Sequence, residues 1–203
     1  MNYDYELAWQ WLQQKGSEFQ GKKFTLHESD KPAITLLFCY FLQDQQTAST
    51  LGIELQKGVL LTGPVGCGKT SLMKLMRFYL QNENQRFITK SCREVSFEFI
   101  KNGYEVIQRY AQNNPYKFNQ QIYSFDDLGT ESALKYYGNE CNVMAEVLLS
   151  RYDLYVSQGL ITHLTTNLSA SEIEATYGIR VRSRLREMFN LIAFNKDSPD
   201  KRT

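Results

Sequence analysis

The chain is poor in the features that mark several protein classes. Its 4 cysteines, Cys39, Cys67, Cys92 and Cys141, stand far apart, form no CxxC pair and have no histidine near enough to complete a metal set. They read as separate, reduced, buried thiols rather than a disulfide framework or a zinc site. Only 4 prolines occur among 203 residues, with 42% hydrophobic and 22% charged residues, which speaks against disordered or fibrous classes. The net charge of +1 gives no sign of a wholesale nucleic-acid or membrane binder, although a local basic patch fits inside a neutral total. The longest apolar run, Ile34 to Leu42 with Thr35 included, is nine residues, against roughly 20 for a membrane span. The opening Met1-Asn-Tyr-Asp-Tyr-Glu6 lacks the basic-then-apolar layout of a secretory signal, so the expectation is a soluble cytoplasmic protein with no membrane partner.

What is present suits one domain with a short appendage. Residues 1–56 read as a helical N-terminal region: Tyr5, Leu7, Ala8, Trp11 and Leu12 recur at helical spacing, and Pro32 opens an apolar stretch from Ala33 to Leu42. Those apolar faces fit packing on a core or a partner-binding surface. From Lys57 to Thr203 short apolar runs alternate with longer periodic segments, the pattern of an α/β domain. Strands are predicted at 58–61, 86–89, 121–125, 160–165 and 191–194, with helices at about 69–82, 94–112, 139–157 and 170–188. Parallel strands joined by helices bind ligands at their carboxyl ends, and three motifs fall on such ends.

The first motif is Gly63-Pro64-Val65-Gly66-Cys67-Gly68-Lys69-Thr70, lying directly after Gly58-Val-Leu-Leu61 and before Ser71-Leu-Met-Lys-Leu-Met76. Strand, glycine-rich loop, helix is the context of a phosphate-binding P-loop, also called a Walker A motif. Glycines at 63, 66 and 68 permit backbone angles that let successive N–H groups converge on phosphate oxygens. The helix starting near Lys69 adds its positive end. The expected cradle is Gly63 through Ser71, with Lys69 on the β- and γ-phosphates of ATP and the Thr70 hydroxyl on Mg2+.

The second motif, Gln121-Ile-Tyr-Ser-Phe-Asp126-Asp127-Leu-Gly129, puts two acids at the tip of an apolar run. Asp126 is placed to hold Mg2+ through water, and Asp127 to orient or activate an attacking water; a solvated loop is the plain alternative. The third, Ile161-Thr-His-Leu-Thr-Thr-Asn167-Leu, ends in an amide suited to that water or the γ-phosphate. A helix cap or turn is the other use of an asparagine there. His163, inside the same strand, reads as a satisfied core histidine.

Together the P-loop, Asp126-Asp127-Leu-Gly129, Thr165-Thr-Asn167-Leu and Tyr177-Gly-Ile-Arg180-Val-Arg-Ser-Arg184-Leu resemble the AAA+ ATPases of the bacterial helicase-loader and insertion-sequence transposition-helper group. The resemblance runs from about residue 57 to Arg202. It implies a three-layer αβα P-loop NTPase with a mainly parallel five-stranded sheet, and an oligomer whose sites are completed by a neighbouring subunit. Arg184 matches the arginine finger that reaches the adjacent protomer's nucleotide, with Arg180 as the runner-up; such a guanidinium stabilises transition-state charge. The alternating Arg180, Arg182, Arg184 and Arg186 also suit a solvated helix face. Arg151 matches another family arginine of unsettled role, the subunit interface being one reading, and Arg202 resembles a terminal arginine of the group.

The chain departs from the pattern too. Asp127 stands where many AAA+ proteins have glutamate, one methylene longer, which predicts slow turnover. Nothing after Thr203 forms the helical lid common in that group, so no C-terminal lid domain is expected. The N-terminal region is short for helicase docking. The segment from Lys90 and Arg93 through Phe97, Lys101, Gly103 and Arg109 to Tyr110 sits where relatives contact single-stranded DNA. It equally suits an amphipathic helix kinked at Gly103. The expectation is therefore an ATP- and Mg2+-dependent oligomeric ATPase, acting on DNA as a helicase loader or a transposition or replication helper, with a replicative helicase or transposase as client. The alternatives are a nucleotide-dependent binding switch with little hydrolysis, and a small-molecule kinase.

Overall fold

In a computed structural model, the structure describes residues 3–20, 24–80, 83–111, 121–131, 134–136 and 139–201. Three helices open the chain: α1 (Tyr5–Gln20), α2 (Lys31–Phe41) and α3 (Gln45–Leu51). Pro32 lies in the first turn of α2, where its missing N–H costs nothing. The Asp44 carboxylate caps α3 by accepting from the Thr47 N–H at 3.2 Å, and Gly52 closes that helix in a left-handed conformation. The alternation predicted from Lys57 onward then appears as β1 (Gly58–Thr62), α4 (Lys69–Met76), β2 (Phe87–Ser91), α5 (Cys92–Asn102), α6 (Glu105–Ala111) and β3 (Ile122–Leu128). A small antiparallel pair, β4 (Leu134–Tyr136) and β5 (Asn139–Cys141), precedes α7 (Val143–Gln158), β6 (Thr162–Thr166), α8 (Ala170–Met188) and β7 (Phe189–Ala193).

The main sheet is five-stranded and parallel, in the order β2-β3-β6-β1-β7. All five predicted strands are there. The helices depart from the expectation in three places. The segment predicted as one helix over 94–112 is two, because Gly103 (φ 61°, ψ −146°) ends α5. The segment predicted over 139–157 begins as strand, and its helix starts only where Asn142 accepts from the Ala145 N–H at 3.1 Å. The helix predicted to 82 stops at Met76 and tightens into a 3-10 turn, Arg77–Tyr79, whose Tyr79 ring meets Trp11 edge-on at 4.6 Å.

By contact density the chain forms two units: Met1–Leu55 with Leu61–Arg86 and Leu191–Thr203, and Gln56–Leu60 with Phe87–Asn190. In the first, α1 packs on α2 and α4. Leu12, Ile34, Leu37, Phe38, Leu72 and Met73 are all fully buried there, and Tyr79 donates to the Ala8 carbonyl at 2.7 Å. In this unit the N-terminal apolar faces therefore largely bury against α4, the helix that follows the glycine-rich loop. Leu7, Phe19 and Phe78 stay exposed.

The second unit is built on β2, β3 and β6, with Phe99, Val106, Phe125, Val147, Leu148 and Leu164 in its core. At Gly58 a Cβ would lie 1.7 Å from the Thr162 carbonyl oxygen, so only glycine lets these backbones approach. His163 is buried as expected. Its Nδ1 accepts the Val59 N–H at 3.2 Å, the Phe87 ring stands edge-on at 5.0 Å, and burial, then the Arg151 charge, pushes its pKa down to about 3. Cys39, Cys67 and Cys92 are buried and Cys141 half-buried, each a free thiol.

Candidate functional site

The glycine-rich loop leaves β1 and turns into α4 through three glycines with positive φ: Gly63 (155°), Gly66 (79°) and Gly68 (101°). Gly68 is the residue from which α4 starts, and Leu72 N–H bonds back to its carbonyl at 2.9 Å. Lys69, in the first turn, is buried; its Nζ donates to the Gly63 and Pro64 carbonyls at 2.9 Å each. The loop thus wraps the ammonium with its own backbone. Cys67 is fully buried beneath it and burial pushes its thiol pKa up, whereas Val65 is exposed at the loop's crest. Thr70 and Ser71 follow, half-buried, in the first helical turn.

Other segments of the same unit brace this loop. Phe194 N–H donates to Thr62 O at 2.8 Å, and Lys201 N–H to Gly66 O at 3.1 Å. A Cβ on Gly66 would meet Asp200 Oδ1 at 1.9 Å. The Lys201 ammonium pairs at 2.5 Å with Asp30, whose carboxylate is fully buried and also accepts the His27 N–H at 2.9 Å. Sequence reasoning missed Asp30 and Lys201. They are 171 residues apart, and neither sits in a recognisable motif.

At the end of β3, Asp126 and Asp127 sit on an irregularity in the pairing with β6. Phe125 pairs with Leu164 and Leu128 with Thr166, so two β3 residues face the single Thr165, which makes a bulge. Asp127 takes a left-handed φ of 57°, which aspartate tolerates better than most residues. The Thr165 hydroxyl donates to Asp126 Oδ1 at 2.7 Å and accepts the Asp127 N–H at 2.9 Å. Just beyond, Gly129 N–H donates to Glu131 Oε2 at 3.0 Å, and the Tyr177 hydroxyl donates to Glu131 Oε1. Burial, then the Glu131 charge, pushes the Tyr177 pKa up. Glu131 also escaped sequence reasoning, because its partner is 46 residues away. Asn167 follows β6 and is exposed. It does not cap α8: Ser169 does, exchanging bonds with Glu172.

No family model matches the chain, and no curated protein matches it. Solved structures do. The DnaC helicase loader aligns with a TM-score of 0.57 at 16% identity, over 86% of this chain and 95% of that one. DnaI aligns at 0.54 and 18%, over 85% and 88%. AMPPCP-bound DnaA from Aquifex aeolicus aligns at 0.54 and 18%, over 88% of this chain and half of that one. The chain has the AAA+ fold of the helicase loaders.

On this AAA+ frame the arginines divide by environment. Arg184 stands on α8 beyond Gly178, whose φ of 85° breaks that helix. Its guanidinium lies 4.4 Å over the Tyr152 ring and 3.5 Å from Glu187, and the side chain is half-buried. Arg182 pairs with Glu174, while Arg180 and Arg186 are exposed. Arg151 is not at a surface: it is 1% exposed, which overturns the reading of it as an interface arginine. It donates to Thr162 Oγ1 at 2.7 Å and to the carbonyls of Tyr110, Ile161 and Gln121 at 2.8, 3.1 and 3.2 Å. Burial pulls its pKa down to about 10, which still leaves it charged at neutral pH. Arg202 lies outside the described residues.

In the basic and aromatic stretch, Glu98 gathers Lys90 at 3.3 Å, Arg109 at 3.1 Å and the Tyr110 hydroxyl at 2.9 Å. Arg93, stacked 5.2 Å from Phe97, remains exposed with Phe97, Lys101 and Tyr104. No helix among the described residues is long and apolar enough to cross a membrane.

Proposed function

We propose that the chain binds ATP with Mg2+ and hydrolyses it slowly, as a self-associating cytoplasmic AAA+ protein that acts on DNA in replication, as a helicase loader or a related helper. The observation that carries this reading is the loop from Gly63 to Ser71, with its three positive-φ glycines and the enclosed Lys69 at a helix start. Such a backbone gathers N–H groups toward an anion and fits a triphosphate. Lys69 takes the β- and γ-phosphates and Thr70 the metal. Asp126 holds the metal through water, Asp127 orients the attacking water, and Asn167 contacts that water or the γ-phosphate. Bound Mg2+ neutralises charge developing on the phosphates. Arg184 acts on the neighbouring subunit's nucleotide, with Arg180 the second candidate.

Support for the client comes from the fold of DnaC, a helicase loader. A replicative helicase is the first partner to test, a transposase the second. Exposed Arg93, Phe97, Lys101 and Tyr104 suit single-stranded DNA by pairing charge with stacking surface. A second reading, a nucleotide switch with little hydrolysis, draws on Asp127, a short acid on a bulge.

ATP turnover measured with and without single-stranded DNA decides between them. The expected result is hydrolysis above that of Lys69→Ala; equality under both conditions leaves the switch. Arg184→Ala is expected to keep ATP binding and lose hydrolysis. Mixing it with Lys69→Ala should restore activity, and no rescue in any mixture refutes action across subunits. Phosphoryl transfer to a nucleoside monophosphate would make the chain a kinase instead.

A further inference from the structure

One hydroxyl organises both acids of the β3 tip. The bulge sets Asp126 and Asp127 against the single residue Thr165 of β6. The Asp127 N–H donates to Thr165 Oγ1 at 2.9 Å. An oxygen that accepts there keeps its own hydrogen for another acceptor, and Asp126 Oδ1 takes it at 2.7 Å. Thr165 is 0% exposed, so the hydroxyl itself is shielded from bulk water although the two acids are half-buried. The next residue makes a useful contrast. Thr166 is equally buried, but its hydroxyl donates to the Leu128 carbonyl at 2.7 Å and accepts the Leu168 N–H at 3.0 Å. It staples backbone to backbone and touches neither acid.

We infer that Thr165 is a positioning residue: by accepting from the Asp127 amide and donating to the Asp126 carboxylate, it sets the two acids of the tip in their working orientation. The inference rests on the ATPase reading above and deepens it. Groups that orient metal-holding carboxylates matter nearly as much as the carboxylates themselves, since a misdirected carboxylate holds the metal and its water at the wrong angle.

The test uses Thr165→Val, which keeps the shape and removes the hydroxyl, Thr165→Ser, which keeps the hydroxyl, and Thr166→Val as the equally buried control. Three quantities are measured in the full chain: hydrogen exchange at the Asp127 amide, ATP affinity with and without Mg2+, and turnover. Thr165→Val is expected to speed Asp127 exchange, raise the Mg2+ concentration for half-maximal activity, and lower kcat about tenfold or more with metal-free ATP affinity unchanged. Thr165→Ser should return kcat to within about threefold of wild type. Thr166→Val should lower stability while leaving the Mg2+ requirement where it was. Turnover of Thr165→Val within about twofold of an active wild type, or the same Mg2+ shift in Thr166→Val, overturns the inference alone. Unchanged Asp127 exchange in Thr165→Val overturns it whatever the turnover. Wild-type turnover no higher than that of Lys69→Ala overturns instead the ATPase reading on which it rests.

Discussion

The glycine-rich loop and the acidic tip solve the same problem, holding polar groups in an unusual geometry, by different means. In the loop the solution is local. Lys69 is held by carbonyls five and six residues before it, and the turn needs only glycines that accept positive φ. At the tip the solution is remote. Asp126 and Asp127 are held by a hydroxyl 39 and 38 residues away. The strand bearing that hydroxyl is fixed at its other end by Arg151 bonding to Ile161 and Thr162, and in its middle by His163 bonding to Val59. A loop made from adjacent backbone takes its turn from its own glycines and is only braced from elsewhere, by Phe194 and Lys201. A tip made from cross-strand side chains inherits every weakness of its frame.

The sharpest way to break the comparison is Arg151→Met. It removes four hydrogen bonds, two of them buried and two part-buried, and leaves the carbonyls of Tyr110, Gln121 and Ile161 short of a donor, at a cost of about 3 kcal/mol or more. Urea unfolding measures this, and a loss under about 1 kcal/mol would mean that the frame does not depend on buried donors.

A smaller effect depends on pH. His163 is held neutral, its pKa pushed from 6.5 down to about 3 by burial and by Arg151. The unfolded chain takes up a proton below 6.5 that the folded chain refuses, so stability rises with pH between those values and falls on acidification. The loss should reach about 2 kcal/mol between pH 7 and pH 5. In His163→Gln that component of the pH dependence should vanish; an unchanged slope would assign it to other groups.

The smallest expected effect is in the loop. Gly66→Ala forces a side chain into φ 79° at a cost of about 1 kcal/mol. The Asp200 carboxylate that the new Cβ would meet belongs to an exposed side chain able to swing aside. The cost should therefore be the same in an Asp200→Ala background, and hydrogen exchange at Asp127 should not change. Relief in that background would show that the C-terminal residues, rather than the glycine's backbone angle, set the loop.

The same contrast explains what could be read from the residues. The glycine-rich turn between β1 and α4, the acidic end of β3, the β6 end and all five sheet strands were legible because apolar runs, glycine spacing and strand-loop-helix context are short-range signals. His163 was legible as a core residue for a similar reason: it lies inside an apolar strand. Boundaries were less so, since Asn142 and Gly103 start and stop helices by cap and turn geometry that apolar periodicity does not register. The burial of Arg151, whose role the sequence left open, was not legible because it depends on the Thr162 hydroxyl and three carbonyls remote from it in the chain. Asp30 with Lys201, and Glu131 with Tyr177, had no local signal at all.

By itself, then, the sequence determined an α/β chain with a glycine-rich loop between strand and helix, because that loop is a property of consecutive backbone. Tertiary structure alone decided that Arg151 is a buried staple, that Lys201 closes on Asp30 beside the loop, and that Thr165 holds both acids. Each of those depends on polar groups far apart in the chain meeting in a buried or half-buried setting, and no spacing along a sequence records such a meeting.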